Sequence, residues 1–259
     1  MKLQFLGTGG AFTDFRENYN NNAIIESSEG WVLIDCGVTA VQSLKELNIH
    51  PTEIRALLIT HLHGDHAVPE QLIWERYYSS AAGGPTWAAT PIYAEEDILK
   101  PLLGSLQPFI GYFTNKQLQI SDQGVAELIR PHFCSEGHIG DLQFRFFPVH
   151  HVTGNGISKP AYGIEFTRNK KTIIWSGDTQ FNREWLVKTA QREDVRCIFH
   201  ECTFSPIYPG TVHCHWAQLQ TLPADVLQKI VIMHHHVVPE QADVSGLYDA
   251  ASKHQLFEL

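Results

Sequence analysis

The chain has 259 residues, 43% of them hydrophobic, enough to bury one large core, and nothing in it reads as a linker between two domains. Its formal charge of -9, from 28 acidic and 19 basic residues, with no basic cluster longer than Asn169-Lys170-Lys171, argues against long nucleic acid as a partner, because such binding leaves a basic footprint. No apolar run approaches the roughly 18 residues of a membrane span and no secretory leader is legible, so a cytoplasmic protein with no membrane partner is expected.

In chain order, Lys2-Leu3-Gln4-Phe5-Leu6 predicts a first strand, broken by Gly7-Thr8-Gly9-Gly10. Two readings of that loop stand: a phosphate cradle, although no helix opening with Lys-Ser/Thr follows, or a plain turn that lets the backbone pass close to the histidine loop at 60–66. Ala23-Ile24-Ile25-Glu26, a turn over 27–30 and Trp31-Val32-Leu33-Ile34-Asp35 predict a hairpin, closed by Cys36-Gly37. Val41, Leu44 and Leu47 then recur at helical spacing over 38–47. Asp35, at a strand end, reads as a turn carboxylate that accepts backbone N–H bonds and buttresses the loop after the next strand.

That strand is Ala56-Leu57-Leu58-Ile59-Thr60, a short uninterrupted apolar run of the kind buried on both faces. It delivers His61-Leu62-His63-Gly64-Asp65-His66, three imidazoles and a carboxylate leaving the core around a sharp Gly64 turn. Neutral imidazole and ionised carboxylate are donors that zinc, iron and manganese take, and a buried strand gives the loop a rigid base. His61 and His63 can face one cation, while Asp65 and His66 turn to a second. Surface histidines in a polar loop are the bland alternative, and four donors in six residues directly after a strand argue against it.

Residues 67–140 carry the weakest pattern. Trp74, Tyr77, Tyr78, Trp87, Tyr93, Phe109, Tyr112 and Phe113 are punctuated by Pro85, Pro91, Pro101 and Pro108. Core or oligomer packing is favoured there over a base-stacking lid. Pro91-Ile92-Tyr93 suits a short strand and 95–103 a helix. Residues 141–149 alternate and are aromatic, hence a strand, which delivers His150-His151. Strands at 162–167 and 171–176 pair around Arg168-Asn169 and lead into Gly177-Asp178-Thr179; taken alone, Asp178 could cap a helix beginning near Asn182. Val195-Arg196-Cys197-Ile198-Phe199 is another buried strand, ending in His200-Glu201-Cys202-Thr203-Phe204. His213-Cys214-His215 follows, and Ile230-Val231-Ile232-Met233 ends in His234-His235-His236, inside the chain and so not a tag. Cys36, Cys134, Cys197, Cys202 and Cys214 are odd in number and scattered, which reads as reduced thiols.

The pattern His61-x-His63-x-Asp65-His66 resembles the signature of the metallo-β-lactamase superfamily. The resemblance implies an α+β fold: an αββα sandwich with two mixed sheets between outer helices, spanning 1–259 as one domain with an aromatic-rich insert at 74–125. It also implies a binuclear site at the sandwich edge. A third histidine for the first metal would follow the strand at 141–149, His151 with His150 as alternative. One aspartate would bridge both cations in the Ser176-Gly177-Asp178-Thr179 run, and the last ligand would be His234, with His235 and His236 as alternatives. His200-Glu201-Cys202-Thr203-Phe204 looks like the His-Glu-Ala-Thr motif of the ribonuclease Z and phosphodiesterase branch, and His213-Cys214-His215 stands where that branch has His-Ser-Thr. Carried over by position, Glu201 orients His213, which gives a proton to the leaving oxygen. The chain has neither a separate arm nor the positive charge to dock transfer RNA, so relatives that cleave small cyclic nucleotides are the nearer comparison.

Together these readings imply a binuclear metal-dependent hydrolase, a phosphodiesterase for a small, possibly cyclic, nucleotide or similar phosphodiester. Its metal ligands would be His61, His63, Asp65, His66, His151, Asp178 and His234, holding two divalent ions, zinc foremost with iron or manganese as alternatives. Its catalytic groups would be Asp65, which also orients or deprotonates the nucleophile, and the Glu201–His213 pair. A small phosphate ester suits an acidic chain because bound cations invert the local field. Two rivals are a non-hydrolytic di-iron protein for oxygen binding or redox sensing, against which His63 counts because the iron redox branch has glutamate there, and a lactone or thioester hydrolase. A homodimer is expected from the apolar insert and from the superfamily.

Overall fold

The computed structural model describes residues 1–81, 89–114, 128–154, 156–206, 210–235 and 237–259. The first half supplies β1 (Lys2–Gly7), β2 (Asn22–Ser27), β3 (Gly30–Ile34), α1 (Ala40–Glu46), β4 (Ile54–Leu58), α2 (Glu70–Ala81), β5 (Thr90–Ala94), α3 (Glu96–Thr114) and β6 (Ile129–Phe133). The second half supplies β7 (Glu136–Ile139), β8 (Leu142–Pro148), the two-residue β9 (Thr153–Gly154) and β10 (Ile157–Ser158), β11 (Tyr162–Arg168), β12 (Lys171–Trp175), α4 (Arg183–Ala190) and β13 (Val195–Glu201). Then come α5 (Trp216–Leu219), α6 (Ala224–Leu227), β14 (Ile230–Met233), β15 (Asp249–Ala250) and β16 (Leu256–Glu258).

Two seven-stranded sheets result, ordered β16-β1-β2-β3-β4-β5-β6 and β15-β14-β13-β12-β11-β8-β7. Both are mixed: β1, β2 and β3 pair antiparallel while β3 to β6 run parallel, and β8, β11 and β12 pair antiparallel while β12 to β15 run parallel. The final strand, β16, crosses back to pair antiparallel with β1, so both ends of the chain meet in one sheet.

Why the central strands read as unbroken apolar runs is visible in the packing. In β2, Ile25 joins the core between the sheets with Phe5, Leu58, Phe166, Trp175 and Phe199, whereas its neighbour Ile24 joins the layer beneath the helices with Leu44, Leu72 and Ile98. Both faces are covered, so no polar alternation survives. The second sheet is capped on its outer side by Leu186 of α4, Leu219 of α5 and Val226 of α6. Phe5 stands 5.6 Å, centroid to centroid, from both Trp175 and Phe199. Truncating such a ring to alanine typically costs about 3–5 kcal/mol. The order is therefore helix, sheet, sheet, helix, the αββα sandwich.

Three departures from the sequence expectations cluster in 67–140. α2 runs through Trp74, Tyr77 and Tyr78, where no element is legible, because its buried face includes Arg76 beside Leu72 and Ile73. The Arg76 guanidinium donates to the carbonyls of Pro51 and Ile54, so a cation occupies a core position of the helix. α3 continues beyond 103 to Thr114 through Pro101 and Pro108. Both prolines lie on its exposed side, where water can serve the carbonyls they leave unpaired. β6 and β7 are likewise extra strands, and Pro131 is tolerated in β6 because that strand forms a sheet edge. Pro85, Trp87 and residues 115–125 of the expected insert lie outside the described residues. Among the described residues no helix is long and apolar enough to cross a membrane.

Candidate metal centre

The site is assembled at strand ends. The 60–66 loop follows β4, Asp178 follows β12, Glu201 closes β13 and His234 follows β14, while His151 arrives from the end of β8. Parallel strands β3 and β4 also place Asp35 beside the start of the histidine loop. Asp35 adopts a left-handed backbone, φ 58, which a short polar side chain tolerates.

Its carboxylate is wholly buried and fully used. Oδ1 accepts the Thr60 backbone N–H at 2.8 Å, and Oδ2 accepts the Thr60 hydroxyl at 2.8 Å and His66 Nδ1 at 2.8 Å. The Thr60 hydroxyl spends its one proton on Asp35, so toward His61 Nδ1, 3.1 Å away, it acts as acceptor. His61 and His66 thus both donate through Nδ1, which turns Nε2 of each ring inward. This is the outer support that metal-binding imidazoles use.

Two four-donor groups form around Asp178. In the first, His61 Nε2 and His151 Nε2 lie 3.0 and 3.3 Å from His63 Nδ1, and each lies 3.7 Å from Asp178 Oδ2. In the second, His66 Nε2 is 3.3 Å from Asp65 Oδ2 and 3.4 Å from Asp178 Oδ1, while His234 Nε2 is 3.2 Å from Asp65 Oδ2 and 3.4 Å from Asp178 Oδ2. Within each group the donor atoms all fall within 4.8 Å of one another. A third grouping, His151, Glu201 and His213, is accounted for by hydrogen bonds: Glu201 binds His213, and His151 Nδ1 donates to the Val212 carbonyl at 3.1 Å.

These donors fit divalent cations. Among the described residues, Asp65 Oδ1, Asp178 Oδ1 and His66 Nε2 are buried with no hydrogen-bond partner, a costly state that a cation relieves. Nitrogens sharing one tetrahedral zinc stand roughly 3.3 Å apart, close to the spacing around His63. Burial pushes His61, His63 and His151 down, toward the neutral ring that ligates. Burial also opposes charge on His66 and His234, yet Asp178 and Asp65 raise both, His234 to about 10. Against its own burial, Asp178 is held well below the usual carboxylate range by His234 and His66. Imidazolium protons thus neutralise the carboxylates where a cation would otherwise do so, and metal binding would expel them.

Beside this cluster, Glu201 accepts the Thr179 backbone N–H on one oxygen and His213 Nδ1 at 2.7 Å on the other. Burial disfavours a charged His213, but Glu201 outweighs it and raises the ring. His213 Nε2 is left free to act toward a cleft of about 670 Å³ whose walls include His63, Asp65, Asp178 and His234.

All seven expected ligands, His61, His63, Asp65, His66, His151, Asp178 and His234, come together here. His150 is exposed, near Thr153 and Ser158. His235 is buried against Phe204 and belongs to neither group, and His236 lies outside the described residues. The helix near Asn182 is capped by Asn182 itself, whose side chain accepts the Trp185 N–H, which leaves Asp178 to the cluster. The glycine loop at 7–10 passes beside the centre: a Cβ on Gly10 would lie 3.1 Å from His234 Cε1. Thr60 and Gln180, whose amide donates to the His151 carbonyl at 2.9 Å, escaped sequence reasoning. Thr60, a hydroxyl directly ahead of the first ligand, carried a faint signal; Gln180 carried none.

A family model described as Anti-Pycsar protein Apyc1 matches residues 1–257. The Anti-Pycsar protein Apyc1 of Paenibacillus sp. (strain J14) is 28% identical over 270 residues, covering 100% of this chain and 99% of the relative. That of Saccharibacillus brassicae is 29% identical over 262 residues, covering 93% and 92%. Among solved structures, the metallo-beta-lactamase fold protein YhfI from Bacillus subtilis superposes with a TM-score of 0.71 at 14% identity, covering 99% of this chain and 98% of that one. At that identity the likeness shows the fold, and it agrees with the sandwich described above.

Proposed function

The chain belongs to the Anti-Pycsar protein Apyc1 family, and from that premise we propose a metal-dependent phosphodiesterase that opens a small cyclic nucleotide. His61, His63, His151 and Asp178 would hold one divalent ion and Asp65, His66, His234 and Asp178 the other, with zinc foremost. Bound there, such ions supply Lewis acidity, which makes water nucleophilic near neutral pH and offsets phosphoryl charge.

The chain's own groups handle the protons. Asp65 lines the cleft beside His66 and His234, its Oδ2 3.3 and 3.2 Å from their Nε2 atoms. Its unpartnered Oδ1 orients the attacking water and takes its proton as the new P–O bond forms. His213, anchored through Nδ1 to Glu201, delivers the Nε2 proton to the alkoxide as the old P–O bond breaks, and is left as a neutral ring. Glu201 favours the protonated form of His213 and fixes its aim.

The observation that carries this reading is the sharing of Asp178 by two donor groups that open on one cleft with His213 at its wall. A panel of cyclic nucleotides, bis(p-nitrophenyl) phosphate, lactones and thioesters tests it. Hydrolysis of the phosphodiesters, lost on chelation and restored by zinc, is the expected result; turnover confined to lactones or thioesters would overturn it. The proposal also includes a homodimer, tested by light scattering, and action in a reducing compartment, which suits the five free cysteines.

A further inference from the structure

Phe12 is 96% exposed, and a lone exposed phenyl ring needs no explanation by itself. Its position does. Phe12 lines the same cleft as Asp65, Asp178, His213 and His234.

The turn that carries it is tied to the metal centre. Gly9 N–H donates to the Tyr19 carbonyl at 2.8 Å, Asn21 N–H to the Gly9 carbonyl at 2.8 Å, and Thr13 N–H to the Gly10 carbonyl at 3.1 Å, closing a turn around Phe12. Gly10 abuts the His234 ring, where an added Cβ would come within 3.1 Å. Two residues of chain span at most about 7 Å, so Phe12 is held within a nucleoside's reach of the donor groups.

The described lining of the cleft contains no Lys or Arg, only histidines, carboxylates and small or apolar groups. Nothing there pairs with the organic part of a substrate by charge. Beside the polar Thr203, Ser205 and Thr211, the lining includes an apolar wall of Phe12, Phe204 and Val237 against which a flat ring can lie.

We propose that Phe12 is the platform on which the nucleobase of the substrate stacks, so that the base is recognised by its π-face and not by its hydrogen-bonding edge. Every base has such a face, so purine and pyrimidine cyclic nucleotides are both accepted. The inference rests on the phosphodiesterase reading above and adds a specificity-determining residue to it.

The test compares wild type, Phe12→Ala and Phe12→Trp on purine and pyrimidine 3′,5′-cyclic nucleotides and on the abasic ribose 3′,5′-cyclic phosphate. Phe12→Ala should raise KM for both nucleotide classes by roughly 5- to 150-fold with kcat unchanged, the signature of lost ground-state binding. Phe12→Trp should restore KM, and the abasic substrate should not distinguish the three proteins. An active wild type whose nucleotide KM is indifferent to Phe12→Ala defeats the stacking role alone. So does an equal KM rise on the abasic substrate, or a change in oligomeric mass on Phe12→Ala, which would make the ring an interface residue. A wild type inactive on every cyclic nucleotide defeats the phosphodiesterase reading and this inference together.

Discussion

Asp35→Asn should weaken metal binding without touching a metal donor. The substitution keeps the shape of the side chain but leaves one acceptor oxygen where the carboxylate uses two. If that oxygen takes the Thr60 N–H, the new NH2 faces the Thr60 hydroxyl and His66 Nδ1, both now 2.8 Å from Oδ2. An amide N–H cannot accept, so His66 must become the acceptor at Nδ1 and carry its proton on Nε2, toward Asp65 and Asp178. The Thr60 hydroxyl must also reverse, offering its proton to His61 Nδ1 and driving that ring to the same wrong tautomer. Flipping the amide instead sets NH2 against the Thr60 N–H. The first arrangement puts protons on the Nε2 atoms that would hold a cation, and the second leaves the buried Thr60 N–H unmatched, costing about 1–3 kcal/mol. Loss of such outer support lowers metal affinity by about 10- to 100-fold, or about 1.4–2.7 kcal/mol. Chelator competition gives the metal Kd, and urea unfolding of the metal-free protein gives the stability. Thr60→Val, which cuts only the His61 arm, should fall between wild type and Asp35→Asn. An Asp35→Asn protein with wild-type metal Kd would refute the relay.

The other predictions follow the same geometry. Asp178→Ala and His63→Ala should lose metal and hydrolysis together, Asp178→Ala more severely because both donor groups contain it; elemental analysis beside turnover measures this. His213→Ala should keep its metal yet lose about 10²- to 10⁴-fold in kcat, and an unchanged kcat would remove it from the reaction. His213 acts when protonated, and Glu201 raises its pKa, so activity is present at lower pH and lost as pH rises through that raised value. Glu201→Gln should therefore move the alkaline limb of the kcat profile to lower pH, and a limb that stays put would separate Glu201 from His213. Gly37→Ala would drive a Cβ into the Asp65 carbonyl, so about 1–3 kcal/mol of urea stability and part of the metal content should be lost.

Much of this site is legible in the chain because buried parallel strands announce themselves as apolar runs, and the polar residues after them must lie at sheet ends. The loop after β4, Asp178 after β12 and the histidines after β14 all follow that rule. Choosing His151 over His150, or His234 over His235, is a different problem. His150 and His151 leave β8 as chain neighbours whose facing depends on register, and His234 stands in a left-handed bend, φ 59, that no local pattern states. α2 is obscured for another reason: Arg76 sits where an apolar residue would have completed the helical period. Asp35 could be read as a buttress, but its partnership with Thr60 and through it with His61 exists only once β3 and β4 are paired.

The most direct measurement is anomalous scattering from crystals of the protein reconstituted with zinc. Two peaks are predicted, one among His61, His63, His151 and Asp178 and one among Asp65, His66, Asp178 and His234, with Asp178 in contact with both. No peak, or zinc bound away from Asp178, would contradict a two-cation centre.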